Sequence, residues 1–309
     1  MENNQFPRGV WPVVLTPFKE DGGIDFNGYA GMLDWYLERR VSGLFAVCLS
    51  SELFQLTAEE RVALADFTVK HVNGKVPVVG CGGFGSTFAE KCDSIKAMAA
   101  AGLDAVVIPV GFAVEAGQDE DVLIANMERF LEALPDTKLG IYECPLPHRR
   151  LITPEALGRI ARLDEVRIPF LKDTCCDADA IDRKLKAVNG TSLKLYNANL
   201  TTCLASLQSG AAGYSGTSAN FYPEILADLV ETFDKDPVRA EKIQQFLNLI
   251  QRHVEFKYPH SAKAFMALDH VPIGNSCRVE CETLNGEQFV HLKALHRAIR
   301  EFKEEMNII

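Results

Sequence analysis

The sequence predicts an α/β fold, a (β/α)8 TIM barrel with a C-terminal helical appendage, on three observations. Short β-branched runs alternate with amphipathic helical stretches from residue 9 onward, the pattern of repeated β-α units around a parallel sheet. The strand-like runs number eight, the count at which such units close into a barrel. The first run ends Leu15-Thr16-Pro17-Phe18, without the glycine-rich turn that opens a doubly wound dinucleotide-binding sheet.

Taken in order, the predicted strands are 10–16, 43–49, 76–80, 105–109, 138–143, 168–173, 193–197 and 211–216. Helix starts are legible at Thr57-Ala-Glu-Glu60, Ser86-Thr87-Phe-Ala-Glu90 and Thr153-Pro-Glu-Ala156. Each places a hydroxyl cap before an acidic residue, which satisfies orphan amides and the helix dipole. Helix ends fall at Asn73-Gly74, Ala101-Gly102, Asn189-Gly190 and Ser209-Gly210. Four helical stretches follow the last strand (223–235, 237–256, 259–268 and 287–305), more than one closing helix requires. The chain therefore divides into a barrel over about 1–235 and an appendage over about 236–309, with no linker between them, in a single domain spanning 1–309.

Composition narrows the function classes. The 309 residues are 47% hydrophobic and 24% charged, enough apolar material for a large core. A net charge of −10 disfavours nucleic acid and anionic membranes, which need clustered Lys and Arg. The expected partner is a small molecule. No apolar run reaches the roughly 20 residues of a membrane span, and the opening segment lacks the regions of a secretory signal, so a cytoplasmic location is expected. The nine cysteines sit mostly in apolar runs (Cys48, Cys81, Cys144, Cys203) and read as small hydrophobes rather than a disulfide framework. Cys277 and Cys281 lack zinc spacing and a histidine partner, and the histidines other than His148 fall on helices or in the appendage. No metal is expected.

Barrel chemistry sits at the C-terminal ends of strands. In strand six, Ile168-Pro-Phe-Leu-Lys172-Asp173, period two puts Ile168, Phe170 and Lys172 on one face. A lysine above an apolar column is a candidate amine nucleophile because desolvation disfavours its ammonium; the alternative is a strand-end lysine in solvent. Strand five places Tyr142 at the corresponding height with Gly140 beneath it, either to move protons beside a forming imine or as a core tyrosine. Strand two ends Val47-Cys48-Leu49-Ser50-Ser51-Glu52, whose hydroxyls and amides either bind a carboxylate or cap the turn. The turn Gly80-Cys81-Gly82-Gly83 offers amides to a phosphate but has no Lys-Ser/Thr ending to complete a phosphate loop, and Gly210, Gly213 and Gly216 lie at strand eight, where many barrels bind phosphate, as the alternative to a keto-acid pocket.

With these residues in place, the chain resembles the dihydrodipicolinate synthase/N-acetylneuraminate lyase family, the class I pyruvate-type Schiff-base aldolases, as a divergent member. The resemblance rests on Gly9-Val-Trp-Pro-Val-Val-Leu-Thr-Pro-Phe18, the Gly43 to Glu52 turn, Tyr142-Glu-Cys-Pro145, Phe170-Leu-Lys172-Asp173 and Gly210-Ala-Ala-Gly213-Tyr-Ser-Gly216-Thr-Ser-Ala-Asn220. It implies that Lys172 forms an imine with a 2-oxo acid, that Tyr142 relays protons, and that Ser50 with the amides around Leu49 and Ser51 binds the substrate carboxylate. It also implies that the backbone at Ser215 lines the pocket, that no metal or organic cofactor is needed, and that the protein is a homo-oligomer, usually a tetramer.

The departures are specific. Leu49 removes one of two hydroxyls in the strand-two turn, leaving its amide, with Ser51 as the expected replacement. The synthases' arginine after the tyrosine motif is Pro147 here, with His148, Arg149 and Arg150 just beyond. The aromatic that reaches into a neighbouring subunit's relay is replaced by Val110-Gly111-Phe112, and the acidic pair of the sialic-acid lyases falls near Asn199 and Leu200. The expected activity is a Schiff-base aldolase or dehydratase acting on pyruvate or a 2-oxo-3-deoxy acid. The alternatives are the synthase or lyase activities proper, and a non-catalytic keto-acid-binding or sensor barrel. Leu49, Phe54 and Phe112 are expected to make the far pocket less polar.

Overall fold

The protein is described by a computed structural model covering residues 6–308. Eight parallel strands, in the order β1-β8-β7-β6-β5-β4-β3-β2, form its centre. They are β1 (Gly9–Val10), β2 (Leu44–Val47), β3 (Val78–Cys81), β4 (Ala105–Pro109), β5 (Leu139–Tyr142), β6 (Phe170–Asp173), β7 (Lys194–Asn197) and β8 (Gly213–Tyr214). The sheet closes between its ends through a parallel bridge from Val13 to Phe45, the Val14 amide donating to the Phe45 carbonyl and the Phe45 amide to the Pro12 carbonyl. The first strand is shorter than its sequence suggests because Pro12 supplies no amide to the ladder. Gly213, at φ +159, permits the β1–β8 seam: a Cβ there would lie 1.8 Å from the Gly9 carbonyl oxygen.

The strands are joined by α1 (Phe26–Leu37), α2 (Ala58–Val72), α3 (Phe88–Ala100), α4 (Val110–Ala113), α5 (Glu120–Ala133), α6 (Pro154–Ala161), α7 (Ala178–Ala187) and α8 (Cys203–Gln208), with α9 (Pro223–Thr232) following β8. The caps read from the sequence form. Thr57 with Glu60 and Thr87 with Glu90 make reciprocal capping boxes, and Thr153 accepts from the Ala156 amide. Such a cap contributes about 0.5–2 kcal/mol. Asn73 and Gly74 both adopt positive φ and end α2.

Inside the barrel an aromatic column rises toward the strand ends. Phe6 stacks on Trp11, whose ring lies 5.3 Å from Phe170 and 5.1 Å from Tyr196. Phe45 sits above, 5.8 Å from Phe170 and 5.6 Å from Tyr142. Gly140 leaves room for Phe170, since a Cβ would stand 3.3 Å from that ring and 2.9 Å from Val107.

The appendage consists of α10 (Pro237–Val254), α11 (His260–Leu268) and α12 (Gly286–Glu305). The α10 helix packs against α8, α9 and α12, with Phe246 stacked on Phe302 at 3.7 Å. The irregular chain between α11 and α12 returns across the barrel mouth.

Candidate active site

A cavity of about 500 Å³ opens at the C-terminal ends of the strands, where the barrel rule places chemistry. Lys172 and Tyr142 both line it, along with Ser50 from the turn after β2. The β5 and β6 strands make Tyr142 and Lys172 register partners, and the Lys172 Nζ lies 4.6 Å from the Tyr142 ring centroid and 5.5 Å from that of Phe45. Lys172 is only 5% exposed, so the solvent-facing alternative for this lysine is excluded.

Burial sets the protonation states. Desolvation lowers the Lys172 pKa below its ordinary 10.5, favouring the neutral amine. The lining around it includes the buried thiols of Cys48, Cys81 and Cys144 rather than a carboxylate partner. Desolvation raises the Tyr142 phenol well above 10, so it enters the cavity as a proton donor.

A buried ion network fixes these two side chains from behind. The residues following them, Glu143 and Asp173, face out of the barrel and share Lys184 of α7, whose Nζ lies 2.6 Å from each carboxylate. Glu143 also accepts from the Ile152 and Thr174 amides, at 2.8 and 3.1 Å, and Asp173 from the Cys175 amide at 2.9 Å. Burial and the adjoining Asp173 raise the Glu143 pKa, while the two carboxylates hold Lys184 above its usual value against the cost of its burial. The network ties the tops of β5 and β6 to one helix. Sequence reasoning missed it; the signal was the acidic residue directly after each candidate, with a lysine three residues into the second turn of α7.

The turn after β2 divides its residues. Leu49 and Ser50 line the cavity, and their amides are not consumed by backbone bonds among the described residues. Ser51 points the other way. Its hydroxyl lies 2.6 Å from both the Val14 and Ala46 carbonyls and accepts from the Cys48 amide, and its own amide donates to the Cys48 carbonyl. The expectation that Ser51 replaces the hydroxyl lost at Leu49 is therefore corrected: the 3-10 turn over Leu49–Ser51 commits that side chain to closing β2. On the β8 side, Gly216 and Thr217 line the cavity in place of Ser215. The Ser215 amide is spent on the Asn197 carbonyl, and its hydroxyl is buried without a partner among the described residues.

The far wall mixes apolar and polar groups. Phe54 lines it and leans on Phe112, which in turn packs on Phe84, so Phe112 supports the wall without lining it. Arg149 also faces the cavity and donates to the Thr174 carbonyl; with Lys172 it supplies the cationic lining, while Glu280 is a carboxylate on the same cavity.

The mouth is completed by the appendage, which the sequence pattern did not reveal. Tyr258, Val279 and Cys281 line the cavity. The chain bearing Val279 and Cys281 is anchored by Glu52, a non-glycine residue at φ 60 whose carboxylate takes Lys263 at 2.7 Å and the Arg278 and Val279 amides at 2.5 and 2.7 Å. Arg278 adds a paired contact to Glu60 at 2.6 Å through both terminal nitrogens.

This arrangement matches known proteins along its length. The model of the dihydrodipicolinate synthetase family matches residues 6–299. A 4-hydroxy-tetrahydrodipicolinate synthase of Oceanobacillus iheyensis is 24% identical over 290 residues, covering 93% of this chain and 95% of that protein. A probable 5-dehydro-4-deoxyglucarate dehydratase of Paracidovorax citrulli is 28% identical over 237 residues, 74% of this chain and 73% of that one. The putative 2-dehydro-3-deoxy-D-gluconate aldolase YagE of Escherichia coli K12 is 28% identical over 261 residues, 81% of this chain and 82% of its own. The crystal structure of YagE in complex with pyruvate superposes with a TM-score of 0.84 over 95% of this chain and 98% of that one, at 25% identity. The chain belongs to the dihydrodipicolinate synthetase family, and it is a lyase of that family.

Proposed function

We propose that the protein holds pyruvate or a related 2-oxo acid as a Schiff base on Lys172 and makes or breaks a bond beside that carbonyl. The observation that carries this reading is the buried Lys172 amine, its pKa lowered by desolvation, 4.6 Å from the ring of a protonated tyrosine. The neutral amine attacks C2 and one of its protons passes to the former carbonyl oxygen, giving the carbinolamine; that hydroxyl takes a second proton from Tyr142 and leaves as water, giving an iminium and the Tyr142 phenolate. In the cleavage direction the Tyr142 phenolate takes the C4 hydroxyl proton and the iminium accepts the electron pair of the C3–C4 bond as the aldehyde departs. The resulting enamine is protonated at C3, and hydrolysis frees the amine. The unspent amides of Leu49 and Ser50 hold the substrate carboxylate.

Arg149 and the polar lining residues Thr174, Asn199 and Thr217 favour a substrate whose far end carries hydroxyl or carboxylate groups, such as a 2-oxo-3-deoxy sugar acid. Under this reading the covalent chemistry needs no cofactor. The enzyme acts in the cytoplasm as a single-domain protein that assembles into a homo-oligomer. Wild-type protein incubated with 2-dehydro-3-deoxygluconate is expected to release pyruvate, followed with lactate dehydrogenase, or to convert the acid to its dehydration product, followed by mass spectrometry. Turnover of that acid and related deoxy acids by Lys172→Ala at the wild-type rate overturns the reading.

A further inference from the structure

Thr217 lines the cavity from the 3-10 turn Thr217–Asn220 that follows β8, and its hydroxyl is held from behind. The Thr217 Oγ1 lies 2.7 Å from the Glu255 Oε1, and the Ser218 Oγ lies 2.5 Å from the same oxygen. A carboxylate only accepts, so both hydroxyls donate and Thr217 has no proton left to give. Toward the cavity its oxygen offers lone pairs alone. The Gln251 Nε2 donates to the other carboxylate oxygen at 3.4 Å.

Stability does not account for a carboxylate at this place. Glu255 caps the C-terminal end of α10, the negative end of the helix dipole. The neighbouring Lys257 pairs with Glu282 at 3.1 Å rather than with Glu255. What Glu255 holds is two hydroxyl protons beside the substrate cavity. It reaches the β8 side of that cavity from the appendage, whereas Arg149 lines it from the loop after β5. The two sides therefore differ in kind. The β5 side offers N–H donors and positive charge, and the β8 side offers an acceptor with a carboxylate behind it. A substrate carboxylate or carbonyl oxygen set against Thr217 meets lone pairs with lone pairs, while a hydroxyl there has an acceptor for its proton.

We propose that Glu255 is a positioning residue for substrate specificity: by taking the protons of Thr217 and Ser218, it makes the β8 wall select a distal hydroxyl of the 2-oxo acid and turn away a distal carboxylate or carbonyl. The inference rests on the Schiff-base reading, and its test keeps the two apart. The concentration that half-saturates borohydride trapping is measured for 2-dehydro-3-deoxygluconate and for 2-oxohexanoate, which has the same carbon chain without the hydroxyls. The preference for the hydroxylated acid, taken as the ratio of the two, is expected to fall about 10-fold in Thr217→Val and in Glu255→Ala, the loss of one hydrogen bond. The double variant is expected to lose no more than either single one, because Glu255 acts through Thr217. Thr217→Ser, which keeps the hydroxyl, and Glu255→Gln, which keeps an acceptor oxygen, are expected to retain the wild-type ratio.

A wild-type ratio in Thr217→Val or in folded Glu255→Ala, or losses that multiply in the double variant, overturns the inference alone. Should Glu255→Ala not fold, a ratio lost in Glu255→Gln to the extent seen in Thr217→Val overturns it equally. No adduct with any 2-oxo acid on folded wild-type protein overturns the Schiff-base reading and this inference with it.

Discussion

Tyr142 and Lys172 face each other across neighbouring parallel strands as register partners, with the lysine nitrogen 4.6 Å from the tyrosine ring centroid. Both are buried, so desolvation moves their pKa values in opposite directions, the amine toward neutral and the phenol toward protonated. An imine needs both states at once, a free lone pair and an acid beside it.

Tyr142→Phe removes the acid and leaves the ring that packs on Phe45. Imine formation with pyruvate, followed by quenched-flow trapping, is expected to slow by about 10²–10⁴-fold. An unchanged rate removes Tyr142 from the mechanism.

The depressed Lys172 pKa has two pH signatures. The rate of imine formation rises as pH climbs through that pKa, giving a rising limb below 10.5. For stability the sign follows from proton counts. Between the depressed native pKa and the unfolded value the unfolded chain binds the extra proton, so stability increases with pH across that window. Lys172→Met is expected to flatten that part of the stability profile measured by urea unfolding. A profile identical to wild type contradicts the assignment.

Lys184→Met leaves Glu143 and Asp173 buried without their cation. Removing one partner of such a network costs about 3–5 kcal/mol. Thermal unfolding is expected to show a fall in Tm of several degrees, with weakened trapping at Lys172 because β5 and β6 lose their shared tie. A Tm within a degree of wild type contradicts this role.

Ser50 and Ser51 are adjacent, and their substitutions are expected to separate cleanly. Ser51→Ala removes the one hydroxyl proton shared between the Val14 and Ala46 carbonyls and the acceptor of the Cys48 amide, and lowers stability by about 1–3 kcal/mol, with trapping retained in the folded fraction. Ser50→Ala lowers turnover with little change in unfolding. The reverse pattern contradicts the placement of these hydroxyls.

What the sequence revealed was local. Thr57, Thr87 and Thr153 announce helix starts because a cap acts within four residues, and Lys172 stood out because period two placed it above Phe170. The residues at the mouth were not legible. Tyr258, Val279 and Cys281 lie on irregular chain with no periodicity; Asn220 holds Tyr258 from 38 positions away, and Lys263 with two backbone amides converges on Glu52 from more than 200 positions away to hold the chain of Val279 and Cys281. Ser51 misled for a related reason: a hydroxyl in a strand-end turn serves substrate or backbone according to a rotation that spacing does not encode.

The central claim is a covalent bond at one nitrogen. Intact mass after incubation with pyruvate and borohydride, followed by peptide mapping, tests it most directly. One reduced pyruvyl adduct per chain, located at Lys172 and absent from Lys172→Ala, is the predicted result. Folded wild-type protein that gains no mass with pyruvate, 2-oxobutyrate or 2-dehydro-3-deoxygluconate contradicts it.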